Sequence, residues 1–441
     1  MPTAIEYFKF LPKTNCGECG HPTCLAFAMQ LANQKASLDE CPYVDEEAKR
    51  TLQESNAPPV KGVTVGAGDG SLRMGEETVL YRHERRFVNP TAYAVAIPDI
   101  LPEAELRELA RSYLDMSFER VGMVFDLDMF AVFNASGDAE RLRAAAESLV
   151  GMCSKPLMLI GAGAEDLRPA AEAIRESRPL LYAADEDNVS PMAALAAELG
   201  LPLALRDGTL DGMAGLVEAA RKEGAEDLVL DLGSDSMKHI LESNTVARKV
   251  SLRRSFKGLG YPLMNLVGSG EEGMMMAMLS TMKYGSLVVF DSLEPQQALP
   301  LMTLRQNIYT DPQVPIQVKE DLYPVNGPGE DSPLLFTTNF SLTYFTVRAD
   351  IEKSRIPVWL QVVDTEGLSV LTAYAANKFG HEHVAAALEA SSALERTSGP
   401  VVTPGMVAKM SGKLEEALGR KVLVGPMESG SLPKFLKNLG V

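Results

Sequence analysis

Between residues 91 and 293 the sequence alternates eight times between a short apolar run and a following stretch of different character. The runs are TAYAVAI (91–97), MFAVFNA (129–135), PLMLIGA (156–162) and PLLYAA (179–184), then PLALRD (202–207), DLVLDLG (227–233), PLMNLVG (262–268) and LVVFDSL (287–293). Short apolar runs bounded by turn residues read as buried strands. The separating stretches, such as EAELRELARSYL (103–114), AERLRAAAESLV (139–150) and DGMAGLVEAARKEG (211–224), place apolar residues at helical spacing. Eight strand–helix units in about 220 residues match a (β/α)8 TIM barrel. An open, doubly wound sheet of eight strands is the rival reading.

Polar residues gather at the ends of these strands: Asp99, Asn134, Asp185, Asp207, Asp231, Asn265 and Asp291. In a barrel they would ring the carboxyl face, where ligands bind; equally, Asp and Asn cap the helices that follow. Gly268-Ser269-Gly270-Glu271-Glu272-Gly273 matches G-x-G-x-x-G, with Asp291 where a ribose-binding acid would stand. Two glutamates at the helix start oppose a pyrophosphate, so the match reads as a helix entry. Gly161-Ala162-Gly163 and Gly66-Ala67-Gly68 read as turns.

Four of the five cysteines crowd into residues 16–41. Cys16, Cys19, Cys24 and Cys41 are spaced C-x2-C-x4-C-x16-C, and Pro42 follows the last. Four thiolates from one short segment can hold a [4Fe–4S] cluster or a tetrahedral zinc. Zinc modules more often pair two C-x2-C knuckles, so the single knuckle favours the cluster. Gly17 and Gly20 would let the backbone wrap the sulfurs. His21 reads as a solvated loop residue, and Cys153 as a small buried hydrophobe. The stretch 25–38, LAFAMQLANQKASL, has helical spacing and would cover the cluster. Residues 45–60 turn charged and then proline-containing, as a linker does.

Beyond TDPQVPIQV (310–318) and NGPGEDSP (326–333), strands are expected at 334–339, 358–364, 401–402 and 421–426, with helices at 368–378, 405–418 and 431–439. The loops of this α/β domain are small and hydroxyl-rich: TTNFSLTY (337–344), TEGLSVLTAYAA (365–376), Pro404-Gly405, Gly425-Pro426 and Ser429-Gly430-Ser431. At the carboxyl edge of an α/β sheet such loops admit a large flat ligand and offer hydroxyls to its fringe; they also make ordinary turns. With 42 basic against 59 acidic side chains, a net charge of −17, the chain is no nucleic-acid binder. No run of about 18 apolar residues suggests a membrane span, and MPTAIEYFKFLPK is no secretory signal, so a cytoplasmic location is expected.

Four segments in order, NCGECGHPTCLAFAMQLANQKASLDECPYV (15–44), LRQNIYTDPQVPIQV (304–318), TTNFSLTYF (337–345) and VDTEGLSVLTAYA (363–375), carry a family resemblance. The chain resembles the large, or gamma, subunit of the corrinoid/iron–sulfur protein of the reductive acetyl-CoA pathway. The resemblance implies an α/β multidomain chain: an N-terminal [4Fe–4S] module and linker (1–58), a central TIM barrel with an N-terminal extension (59–310) and a C-terminal Rossmann-like corrinoid-binding domain (311–441). It implies a methyl carrier rather than an enzyme in the strict sense. The methyl group would come to Co(I) from methyltetrahydrofolate through a separate methyltransferase and go on to acetyl-CoA synthase. The cluster would reactivate Co(II) by reduction.

The implied partners are a barrel-shaped small subunit in a heterodimer, the methyltransferase, acetyl-CoA synthase and a reductive activator or ferredoxin. The implied cluster ligands are the four clustered cysteines. The cobamide would meet Thr338, Asn339, Ser341, Thr343 and Tyr344; Gly367, Leu368, Ser369, Val370, Leu371 and Thr372; and Gly405, Gly425 and Gly430. None of His21, His83, His239, His381 and His383 sits in a D-x-H-x-x-G motif, so the cobamide is expected base-off, without a protein histidine below the metal. Thr372, too weak a donor to ligate, is the residue expected beneath the cobalt. The alternatives are an iron–sulfur oxidoreductase or pterin-dependent methyltransferase working on the barrel face, and a plain electron-transfer subunit.

Overall fold

The computed structural model describes residues 4–32, 36–45 and 58–439. Most of the 45–60 linker segment therefore lies outside the described residues. Two compact units are present. The first lies within residues 1–80, 88–112 and 128–297; the second gathers 81–87, 113–127 and 298–441.

The first unit opens with two short helices, α1 (Ala4–Phe10) and α2 (Cys24–Ala32). The helix expected over 25–38 therefore starts one residue early. Leu38–Glu40 forms a 3-10 turn, and residues 33–35 fall outside the described set. Tyr7, Leu11, Phe27, Ala28, Leu31, Leu38 and Val44 make a miniature core. A hairpin follows, β1 (Val63–Val65) against β2 (Leu72–Met74).

The barrel then begins with β3 (Ala92–Pro98) and α3 (Glu103–Leu114). Before the second barrel strand the chain makes a detour, β4 (Phe118–Arg120) and β5 (Met123–Phe125). The remaining barrel strands are β6 (Met129–Phe133), β7 (Leu157–Ile160), β8 (Leu180–Ala184), β9 (Leu203–Arg206), β10 (Leu228–Asp231), β11 (Leu263–Val267) and β12 (Gly285–Phe290). Between them run α4 (Ala139–Val150), α5 (Ala164–Ala173), α6 (Val189–Leu199), α7 (Leu210–Lys222), α8 (Met237–Arg254) and α9 (Glu271–Met282); α10 (Pro295–Tyr309) comes after β12. Each barrel strand pairs in parallel with the next, and β12 pairs back to β3, so the barrel closes and the open-sheet rival falls. The strands are buried on both faces, as parallel strands under a helical jacket must be; all six residues of β12 are buried.

The β1–β2 hairpin stops the amino end of this barrel. Val63, Val65 and Met74 are fully buried among the inward side chains Ala92, Met129, Met158, Ala204, Val229 and Met264. Arg178 fastens it, donating from Nε to the Thr64 carbonyl at 3.1 Å while its own carbonyl accepts from the Gly66 amide at 2.9 Å.

The second unit is built on a five-stranded sheet of order β13-β15-β14-β16-β17, from β13 (Leu322–Val325), β14 (Leu334–Thr338), β15 (Val358–Val363), β16 (Val401–Thr403) and β17 (Val422–Val424). The last four are parallel, and β13 is an antiparallel edge. Sequence reading passes over β13 because Pro324 sits in it, a residue that only an edge strand accepts. The helices are α11 (Ser341–Ser354), α12 (Val370–Ala375), α13 (His381–Ala390), α14 (Ala393–Arg396), α15 (Ser411–Leu418) and α16 (Leu432–Asn438). They cover both faces. Leu334 and Phe336 pack with α12, α13 and α15, while Leu335 packs with Tyr344 and Ile351 of α11 and Leu436 of α16. The β4–β5 detour is also part of this unit, where the side chains of Arg120 and Gln306 bond and Arg305 lies over the Phe125 ring. Among the described residues no helix is long and apolar enough to cross a membrane.

Candidate functional site

In the N-terminal module the four thiols arrive on three arms. Cys16 and Cys19 sit on a loop, Cys24 starts α2, and Cys41 follows the 3-10 turn. Gly17 and Gly20 take φ of +76° and +78°, the left-handed geometry that lets this loop double back; the Gly20 amide donates to the Gly17 carbonyl at 2.9 Å. Cys24 and Cys41 are buried in the miniature core with Cys19 packed against it, whereas Cys16 is exposed.

Among the described residues no three His, Cys, Asp or Glu side chains already stand as a metal-binding group. The donor chemistry still fits an iron–sulfur cluster: four free thiols, three of them sharing one small apolar core. His21 lies in the loop partly exposed, its ring tilted against Phe27 with centroids 5.5 Å apart. Cys153 is half-buried rather than buried, its thiol donating to the Leu149 carbonyl at 3.7 Å.

The polar ring at the barrel's carboxyl ends is hydrogen-bonded within the protein, in part to the turns that follow the strands. Asp99 accepts from the Ser136 amide and hydroxyl at 2.9 and 2.6 Å, and Asn134 accepts from the same hydroxyl at 3.3 Å. Asp185 accepts from the Asp187 and Asn188 amides, and Asp207 from the Thr209 amide. Asp231, nearly fully buried, takes the Gly233 amide at 3.0 Å and the Tyr182 hydroxyl at 2.7 Å; burial raises both its carboxyl and the Tyr182 phenol above their ordinary values. Asn265 is fully buried, with hydrogen bonds to Asn244, Ser280, Gly233 and Ser234. In the glycine-rich loop, a Cβ on Gly273 would overlap the Gly268 carbonyl, and Ser269 donates to Asp291 at 3.5 Å. Close packing of helix α9 on its own loop accounts for that glycine.

The sheet of the second unit holds a cavity of about 480 Å³. It lies outside the carboxyl ends of β14 and β16, where one crossover leads away to β15 and the next returns to β16, the place at which open α/β sheets bind ligands. Its floor is Leu335, Phe336, Thr337, Val402 and Thr403; one wall is the α11 face carrying Leu342, Thr343, Thr346 and Val347. Ser369, Val370, Leu371, Pro404 and Met406 face it, with Gly425–Ser429 and Leu432 completing the enclosure. The mouth is apolar yet open to water: Leu342, Leu371, Met406 and Met427 are between 41% and 65% exposed. The hydroxyls of Thr337 and Thr403 are buried and have no hydrogen-bond partner, as have those of neighbouring Thr338 and Ser341. Unpaired buried hydroxyls are costly, so a site that supplies partners is their natural complement.

Of the residues expected to meet a ligand, Thr343, Ser369, Val370, Leu371 and Gly425 line this cavity. The others lie around it in different roles. Asn339 clamps the loop after β15, its carbonyl oxygen accepting from the Thr365 and Gly367 amides. Tyr344 is buried in the sheet core, and Leu368 packs on the opposite core. Gly405 lets two strand-end loops cross: an added Cβ would stand 2.6 Å from the Gly425 carbonyl oxygen. Thr372 is exposed on α12, its hydroxyl 3.0 Å from that of Ser369. Gly367 and Gly430 lie in turns beyond the lining. Sequence reading placed Thr337 only within the 337–344 segment and passed over Thr403 and, on the α11 face, Thr346 and Val347; the TTN run at 337–339 was the available signal for the strand end. No histidine lines the cavity; His381 and His383 head α13, where the Gly380 amide donates to the His383 ring.

Thiol module, capped barrel and sheet-edge cavity together define a modular α/β chain. The chain belongs to the CO dehydrogenase/acetyl-CoA synthase delta subunit family, whose model matches residues 62–436. A second family, described as "Putative Fe-S cluster", matches residues 11–43. The corrinoid/iron–sulfur protein large subunit of Moorella thermoacetica is 40% identical over 99% of both chains. The acetyl-CoA decarbonylase/synthase complex subunit gamma of Methanopyrus kandleri is 35% identical over 100% of this chain and 98% of its own, and that of Methanothermobacter thermautotrophicus 34% over 99% of each. The resemblance carried by the four sequence segments is thereby confirmed.

Proposed function

We propose that this chain is a methyl carrier that holds a corrinoid at the cavity of its C-terminal domain (311–441) and a [4Fe–4S] cluster on Cys16, Cys19, Cys24 and Cys41. The observation that carries the reading is the cavity at the switch point of the sheet, with an apolar mouth and unpartnered hydroxyls at its floor. A broad apolar ligand with a hydrogen-bonding fringe suits both features at once. When bound, the corrinoid supplies the metal that accepts the methyl group, and the cluster supplies the electron that restores a metal oxidised by accident.

The chain's own residues do the holding. Thr343, Thr346 and Ser369 offer hydroxyls on the walls to the ligand's fringe, the buried hydroxyls of Thr337 and Thr403 lie just under the floor, and Leu335, Phe336, Val347 and Val402 exclude water. Thr372, next to the wall residue Leu371, would offer the corrinoid only a weak neutral hydroxyl and no nitrogen donor. The methyl group comes from methyltetrahydrofolate through a separate methyltransferase and passes to acetyl-CoA synthase. A small subunit and a reductive activator or ferredoxin complete the system. The names of the relatives as subunits of acetyl-CoA decarbonylase/synthase complexes support that setting. The Asp and Asn side chains at the barrel ends, already hydrogen-bonded within the protein, give a barrel-face enzyme no comparable footing.

The test is an absorption spectrum with iron and cobalt counts on anaerobically purified protein. About four irons and one cobalt per chain, with base-off corrinoid bands that bleach on strong reduction, are expected. Iron without cobalt after cobamide has been supplied would overturn the carrier reading, and zinc in place of iron would overturn the redox one.

A further inference from the structure

The three arms that carry the thiols are cross-tied by side chains that no sequence motif singled out. Asn15 joins the first arm to the second, its Oδ1 accepting from the Cys24 amide at 2.9 Å. Tyr43 joins the third arm to the first: its hydroxyl donates to Glu18 Oε1 at 2.9 Å, across 25 positions of sequence. Glu18 lies between Cys16 and Cys19, and Tyr43 stands two residues beyond Cys41. The phenol is within electrostatic reach of both Cys16 and Cys41. Tyr43 is 53% exposed, so this bond closes the thiol loop from the water side, while Cys24 and Cys41 are held from the core side.

Resting on the reading that these thiols hold an iron–sulfur cluster, we propose that Tyr43 is a positioning residue whose bond to Glu18 latches the Cys16–Cys19 loop over the cluster. The latch governs how readily iron escapes and how much water reaches the sulfurs. Solvent exposure and hydrogen bonding to sulfur both tune a cluster's potential, so the latch also enters the redox chemistry. An exposed hydrogen bond exchanges with water, and its effect is therefore graded rather than all-or-none.

The full-length, iron-loaded chain tests this as wild type, Tyr43→Phe, Glu18→Gln and the double variant. Two quantities are read under anaerobic conditions: the rate of iron loss to a ferrous chelator, and the cluster's midpoint potential. Each single variant should lose iron roughly two- to tenfold faster. The double variant should lose it no faster than Tyr43→Phe alone, because that change already deletes the bond that Glu18→Gln only weakens. Glu18→Gln, which deletes a negative charge beside the cluster, should raise the potential, and Tyr43→Phe should move it as well. Wild-type release rates and potential in Tyr43→Phe would overturn the latch, as would single effects that simply multiply in the double variant. Iron-free wild-type protein would instead remove the cluster reading and the latch with it.

Discussion

Thr403 ends its strand with a hydroxyl that the fold buries and leaves unpaired. If that hydroxyl serves a ligand, its two states pull in opposite directions. Thr403→Val should stabilise the empty protein by about 1 kcal/mol, because an unsatisfied donor is gone, and should weaken cobamide retention. Thermal unfolding of the empty protein and cobalt retention on dialysis measure the two halves. Asp231 makes a different prediction. Burial holds its carboxyl above the usual carboxylate range, although the Tyr182 hydroxyl and the Gly233 amide favour its charged form. The folded chain thus keeps a proton that the unfolded chain gives up. This contribution to stability is full below about pH 3.9 and is lost as pH rises through the folded-state value. Asp231→Asn should flatten that slope, so denaturant titrations between acid and neutral pH should show the variant gaining on the wild type as pH rises. From the sequence, Asp231 and its neighbours on the ring were equally ligands or caps. Only the partner amides, a few residues along the chain, decide between the two.

At the scale of the element, the barrel was legible because its eight strands are short apolar runs and helices such as α3, α4 and α7 carry clear stripes. The least legible pieces break local rules. The turn of the β4–β5 hairpin, Val121-Gly122, has φ of +52° and +70°, yet a valine hides the two-residue turn that Asn or Asp would have announced. Helix α11 begins SLTYFTV, a β-branched and aromatic run, and is held helical by burying Tyr344 and Ile351 against the sheet. The cavity shares this difficulty: its floor and walls meet only once β14, β16 and α11 are packed. The glycine-rich loop before α9 can be tested directly. Gly273→Ala should cost about 1–3 kcal/mol through overlap with the Gly268 carbonyl. Replacing Glu271 and Glu272 together by Gln should leave methyl transfer unchanged. Chemical denaturation reads the first and a methyl-transfer assay the second; a loss of transfer on removing the two charges would reopen a ligand role for the loop.

For the whole molecule, the cysteine module and the cavity were both visible in the sequence as segments, and the family match joins them in one chain. Their division of labour is testable by one substitution. Cys16→Ala should leave methyl transfer from pre-reduced protein intact and abolish recovery after oxidation, followed as turnover before and after a brief exposure to oxidant. Equal loss of both would contradict the division. The second unit, finally, draws residues 81–87 and 113–127 from far upstream of its sheet. On the ribosome these pieces emerge long before residue 298, and they wait through the synthesis of most of the barrel for the strands they will join. The second unit is therefore completed only after its sheet, residues 322–424, has followed pieces made far earlier.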